Sequence, residues 1–210
     1  FLANPNSPYG DTKTQAEIES LTFQLHKKKK YLIIDEAYVD FFDDSMCSLI
    51  YKCPNIIFTK TFSKAWGCAG IRLGYGIANT ELCQLISKVS VTYPISNISL
   101  KFGIYVCNNI DIIKDYSNNT IRERDELIVA LRNKGYNVLD TQVNTLHIQQ
   151  QKDNNTLLCD ILKKHNVSFK TGGAINTLLS IPVEEKDEWV IMSIGEGIME
   201  MPFIKEILSS

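Results

Sequence analysis

Cysteine pairs at metal or redox spacing are missing from these 210 residues. The six cysteines, at 47, 53, 68, 83, 107 and 159, include no Cys-x-x-Cys and meet no matching pair of histidines. Neither a zinc site nor a disulfide framework is indicated, so no metal is expected and a reducing compartment is. An excess of charge of one sign is also missing. The net charge of -2 leaves no footprint for nucleic acid, and the one basic run, His26 to Lys30, leads into an apolar strand as a solvated helix end does. No apolar stretch reaches the roughly 20 residues a membrane span needs, and no signal-peptide pattern opens the chain. The expectation is a cytoplasmic protein with neither nucleic acid nor membrane as partner. The chain begins without Met, at Phe1-Leu2-Ala3-Asn4-Pro5, which reads as a strand end running into a turn, as in a piece of a longer protein.

What is present is ordinary globular material: 44% hydrophobic and 22% charged residues, enough for one large core or two small ones. Apolar spacing at Ile18, Leu21, Phe23 and Leu25 predicts a helix over Thr14 to Lys28. Tyr31 to Asp35 and Asn55 to Lys60 are short apolar runs ending in polar groups, the pattern of buried parallel strands, and Ile71 to Ile77 predicts a third. Strand and helix in alternation argue for an α/β layer with a largely parallel sheet. Helices are predicted over Glu81 to Val89, Ile98 to Cys107 and Ile121 to Lys134, the last using Leu127, Val129 and Leu131 and stopping at Gly135. Short strands then alternate with helices: strands at Tyr136 to Leu139, Thr145 to Ile148, Val167 to Lys170 and Trp189 to Ser193, helices at Asn155 to His165 and Met199 to Leu208. This predicts a second, smaller α+β domain, with the boundary between residues 112 and 121 and the domains at 1–115 and 116–210.

The segment Thr61-Phe62-Ser63-Lys64-Ala65-Trp66-Gly67-Cys68-Ala69-Gly70-Ile71-Arg72 sets one lysine among small and hydroxyl residues, with an arginine eight positions on. A lysine amine attacks an aldehyde only when part of it is neutral, which burial and neighbouring cations promote. Thr61 and Ser63 offer hydroxyls to a phosphate, and Arg72 a planar fork. Gly67 and Gly70 let the backbone approach a ligand. The plainer alternative is a surface helix beginning at Ser63-Lys64 and an ordinary ion pair at Arg72.

Asp35-Glu36-Ala37-Tyr38 supplies what the lysine reading demands elsewhere. A pyridine cofactor acts as an electron sink while its ring nitrogen is protonated, and a carboxylate at a strand end is the natural partner. Asp35 fits that role, and Tyr38 could reach the cofactor's phenolic oxygen. An Asp-Glu pair after a strand is also a common helix cap.

These segments resemble the fold-type I pyridoxal-phosphate aminotransferases of class I/II, nearest to the histidinol-phosphate aminotransferase group. Asn4-Pro5-Asn6-Ser7-Pro8-Tyr9-Gly10 resembles that group's Asn-Pro-Asn-Asn-Pro-Thr-Gly turn, Tyr31 to Phe41 its Asp-Glu-Ala-Tyr strand end, and Thr61 to Tyr75 its Schiff-base lysine segment. Arg122 to Ile148 resembles the Arg-Glu helix and Asn-Phe strand of its small domain. The resemblance covers the later part of the family's fold: the end of the large, mostly parallel domain and the small α+β C-terminal domain. It implies pyridoxal 5'-phosphate as cofactor, Lys64 as the Schiff-base and proton-shuttling residue, and Asp35 as the pyridinium partner. It further implies Tyr38, with Asn6 or Ser7, on the phenolic oxygen, and Ser63, Arg72 and Thr61 on the phosphate. Amine and oxo-acid substrates and a homodimer are implied as well. A decarboxylase resembling the threonine-phosphate decarboxylases, or a noncatalytic domain of a larger fused protein, would carry the same motifs.

Three departures bear on substrate. Ser7 stands where the turn's third asparagine aligns, the one expected on the cofactor's phenolic oxygen. Ile191, in Val190-Ile191-Met192-Ser193-Ile194-Gly195, stands where the family's arginine grips a substrate carboxylate, a loss of about 1.5–3 kcal/mol of charge-assisted contact. Either Lys170 compensates, or the amine carries a phosphate, a phosphonate or no acid at all. Tyr93-Pro94-Ile95-Ser96-Asn97 also differs from the family's Pro-Tyr-Asn-Val-Asn, which makes histidinol phosphate itself an unsafe assignment.

Overall fold

A computed structural model describes residues 1–42, 44–91, 95–149, 158–171 and 189–209. The chain divides into two compact units, one of Phe1–Ser7 with Asp11–Asp115, the other of Pro8–Gly10 with Tyr116–Ser210.

The first unit is built on a four-stranded sheet of order β1-β2-β3-β4: β1 (Leu2–Ala3), β2 (Leu32–Asp35), β3 (Ile56–Thr61) and β4 (Gly74–Ala78). The first three strands are parallel and β4 returns antiparallel to β3. Helix α1 (Gln15–Lys27) crosses from β1 to β2, and its start is set by a capping box: the Thr14 hydroxyl accepts the Glu17 N–H while the Glu17 carboxylate accepts the Thr14 N–H. Alternation along the strands buries Leu32, Ile34, Ile56 and Phe58, which pack with Ile18, Met46 and Leu49. The helix contributes Ile18 and Thr22 to the interior, whereas Phe23, predicted to face inward, is 59% exposed. Phe23 lies off the stripe that Ile18 and Thr22 define at helical spacing. Two more helices follow, α2 (Thr80–Ser87), capped by Asn79, and α3 (Asn97–Asn108), capped by Ser96.

Helix α4 (Ile110–Asn133) begins at Ile110 rather than Ile121, and residues 112–121, predicted as the interdomain boundary, are helical. Its interior face in the second unit uses Leu127, Ile128 and Leu131, while Val129 is exposed. This unit holds an antiparallel sheet of order β5-β6-β8-β7: β5 (Asn137–Val138), β6 (Thr145–Gln149), β7 (Lys170–Thr171) and β8 (Trp189–Ser193). Leu146, Ile148, Val190 and Met192 alternate onto one face, where α5 (Leu158–Lys164) and α6 (Pro202–Ser209) complete the core. The first residues of the helix predicted from Asn155 lie outside the described residues. Among the described residues no helix is long and apolar enough to cross a membrane, and none of the six cysteines is in a disulfide.

Candidate active site

The carboxyl ends of β2 and β3 lie side by side, because Asp35 is in register with Thr59, two residues before Thr61 closes β3. Parallel strands present their carboxyl ends on one edge, where loops can carry polar groups. Asp35 is exposed there, and its carboxylate accepts the Ala37 N–H at 3.0 Å. On its other side β1 pairs Ala3 with Asp35, and the Asn4 N–H donates to the Asp35 carbonyl at 2.9 Å, so the turn carrying Asn6 and Ser7 starts beside it.

Lys64 stands in the loop from β3 to β4. The loop is held from within: Phe62 is buried and packs on Trp66 with ring centroids 4.7 Å apart, and on Tyr75 at 6.0 Å. The indole N–H of Trp66 donates to Asp40 at 3.0 Å, tying the loop to the segment after β2. Lys64 itself is exposed, not buried as the sequence pattern allowed, and its side-chain nitrogen lies over the Tyr38 ring, 4.8 Å from the centroid. The Ser63 N–H donates to the Thr61 hydroxyl at 3.1 Å, which gathers both phosphate-binding candidates beside the lysine.

Arg72 is exposed and holds a left-handed backbone, φ 53°, a conformation that costs a residue with a Cβ. Its guanidinium donates to the Ala69 carbonyl at 3.0 Å, leaving other N–H groups of the fork free to take an anion. A Cβ at Gly67 or Gly70 would meet nothing within 4 Å, so open space borders this loop.

The structure thus brings Lys64 to Tyr38 and Thr61 to Ser63, and ends Asp35 on the same sheet edge. Asn6 is engaged within its own turn, its side chain donating to Asp11 at 2.8 Å, and Ser7 is half-buried. Lys170 belongs to the second unit, where it lies directly across from Ile191 on β8. Tyr93 and Pro94 lie outside the described residues. An amine, a carboxylate, two hydroxyls, a phenol and a guanidinium form a donor set that fits a phosphorylated pyridine aldehyde. Two grooves of about 490 and 650 Å³, which share His26, Pro54 and Asn55, flank the opposite ends of β2 and β3 and hold none of these residues.

Sequence reasoning passed over Glu36 and Lys60. Glu36 is buried and ion-paired to Lys60 at 3.2 Å. The available signal was a lysine in the apolar run of β3.

Residues 1–177 match the model of the aminotransferase class I and II family. The histidinol-phosphate aminotransferase of Brachyspira hyodysenteriae is 35% identical over 155 residues, 72% of this chain and 43% of the relative. Among solved structures, the histidinol-phosphate aminotransferase of Sinorhizobium meliloti in complex with pyridoxal-5'-phosphate is 21% identical, with a TM-score of 0.74 over 99% of this chain and 57% of that one. The L-threonine-O-3-phosphate decarboxylase of Porphyromonas gingivalis is 19% identical, with a TM-score of 0.70 over 99% and 62%. At these identities the two structures establish the fold: the later part of a fold-type I large domain with the small domain. The chain spans about half the length of the curated relatives it matches, 43% to 56% of the first three.

Proposed function

The chain belongs to the class I and II aminotransferase family, and from that premise we propose that it is the lysine-bearing part of a pyridoxal 5'-phosphate-dependent aminotransferase moving an amino group between a small amine and an oxo acid. The observation that carries the reading is Lys64 over the Tyr38 ring, on the sheet edge where Asp35 also ends. When bound, the cofactor supplies an aldehyde for the amine and an electron sink for the carbon that bears it. Lys64 would hold the cofactor and carry the proton at that carbon. Asp35 would keep the ring nitrogen protonated, and Tyr38, with Asn6 or Ser7, would hold the phenolic oxygen. Thr61, Ser63 and Arg72 would hold the phosphate. Residues 1–115 would be the cofactor-binding part and residues 116–210 the small domain, in a cytoplasmic homodimer.

Substrate choice turns on Ile191. An isoleucine offers no donor to a carboxylate, and Lys170 across from it offers one compact cation instead of a bidentate fork. This favours an amine whose far end is a phosphate or phosphonate, which a point charge can hold, over an amino acid held by its carboxylate.

The test is to load the protein with pyridoxal 5'-phosphate, add amino donors including phosphonates and simple amines, and follow the cofactor's absorbance. Stoichiometric conversion to the aminated cofactor is expected. Release of carbon dioxide without net amination would favour the decarboxylase reading, and a Lys64→Ala protein with unchanged absorbance and turnover would take Lys64 out of the reaction and overturn the proposal.

A further inference from the structure

Asp35 and Glu36 are neighbours in sequence, and strand alternation sends their side chains to opposite faces at the end of β2. Asp35 is exposed, whereas Glu36 is 1% exposed with both carboxylate oxygens engaged. One oxygen accepts the Met46 N–H at 2.9 Å; the other accepts the Ser45 hydroxyl at 2.8 Å and lies 3.2 Å from the Lys60 ammonium and 3.4 Å from Cys47 Sγ. Lys60 also donates to Ser45 at 3.0 Å and sits across from Tyr75 on β4. Lys60 precedes Thr61 just as Glu36 follows Asp35. One ion pair therefore links the ends of β2 and β3 from behind, a single residue away from two candidate cofactor contacts.

A buried ion pair is a poor way to close a core, because desolvation of both charges offsets their attraction and apolar residues would serve as well. Removing one partner leaves the other charge stranded. Burial alone would push the Lys60 ammonium down, but Glu36, with Cys47 and Tyr75, more than offsets it and holds the group above its usual value. Lys60 therefore stays charged beside the Glu36 carboxylate.

We propose, resting on the cofactor reading above, that the Glu36–Lys60 ion pair is a positioning device: it fixes the spacing of Asp35 and Thr61 and holds the charge behind the site at zero. Neither residue touches the cofactor. Both act through their neighbours in the chain.

The test uses the cofactor-loaded protein and its E36Q, K60M, K60R and E36Q/K60M variants, each followed by thermal melting, cofactor affinity and the pH midpoint of the bound cofactor's visible band. E36Q strands a cation behind the site and should lower the midpoint, and K60M strands an anion and should raise it, each by about half to one pH unit. The double variant should restore the midpoint and keep a cooperative melt while binding the cofactor about tenfold more weakly, and K60R should match wild type. Single-variant shifts of the same sign, or a double variant with wild-type affinity, would reduce the pair to a structural contact. If wild type itself develops no band, the cofactor reading falls and takes this inference with it; a normal band in wild type that no variant alters overturns the inference alone.

Discussion

Lys170 and Ile191 occupy directly opposed positions on β7 and β8, and His147 on β6 opposes the same isoleucine from the other side. Facing residues of an antiparallel pair have Cβ atoms about 5 Å apart and project from the same face. The row Lys170-Ile191-His147 is thus a single strip, cationic at one end and neutral at the other. It lies opposite the core face that carries Leu146, Ile148, Val190 and Met192.

If the strip receives the substrate's acidic end, Lys170→Ala should raise KM ten- to hundredfold for a phosphorylated or phosphonate amine and leave a simple amine unaffected. Ile191→Arg should improve amino acid donors by about tenfold. Steady-state kinetics over a donor panel decides it, and equal KM values across the panel for Lys170→Ala would remove Lys170 from the substrate site.

Arg72 trades backbone strain for position. Its left-handed φ of 53° suits glycine, so Arg72→Gly should stabilise the apo protein by up to about 1 kcal/mol. The same change should weaken cofactor binding at least tenfold, because the fork for the phosphate is gone. Thermal melts without cofactor and a cofactor titration read the two effects separately.

His147 is fully buried, and neither ring nitrogen has a hydrogen-bond partner among the described residues. Its ring stacks on Tyr9, with centroids 5.4 Å apart and planes 13° from parallel. Burial lowers its pKa to about 4. The unfolded chain takes up a proton near 6.5 and the folded one does not, so this residue costs stability progressively as pH falls from about 6.5 to 4. The loss approaches 3 kcal/mol at most. His147→Phe keeps the stack and should flatten that part of the curve, measured by denaturant titrations between pH 4 and 8.

Gly10 holds φ 81°, and a Cβ there would overlap the Thr141 side chain and the Gln142 backbone, whose N–H donates to the Gly10 carbonyl. Gly10→Ala should cost about 2–4 kcal/mol, strain and overlap together. Gly67→Ala shares the positive φ but has open space, so it should cost about 1 kcal/mol. Parallel melting curves compare them, and equal losses would refute the crowding at Gly10.

Much of the first unit was legible because its signals are local. Thr14 and Glu17 mark a helix start at capping-box spacing, and Leu32, Ile34, Ile56 and Phe58 alternate as strands with buried faces must. The inward face of α1 was misread at Phe23, and the early start of α4 was missed. The Tyr136-Asn137-Val138-Leu139 strand shrank to Asn137–Val138, and the strand expected over Val167 to Lys170 lies instead at Lys170–Thr171, sharing only Lys170. In each case the outcome depends on which neighbours happen to be present, which spacing does not encode.

By itself the sequence determined the chemistry on offer: a lysine among hydroxyls with an arginine downstream, a carboxylate and a phenol after a strand, and an isoleucine where a guanidinium was looked for. The tertiary structure alone decided which groups meet. Strand register set Lys170 and His147 on either side of Ile191, and the packing of β2 on β3 joined Glu36 to Lys60. Register and burial arise from pairings between residues far apart in the chain, and a shift of one residue would turn every side chain to the other face.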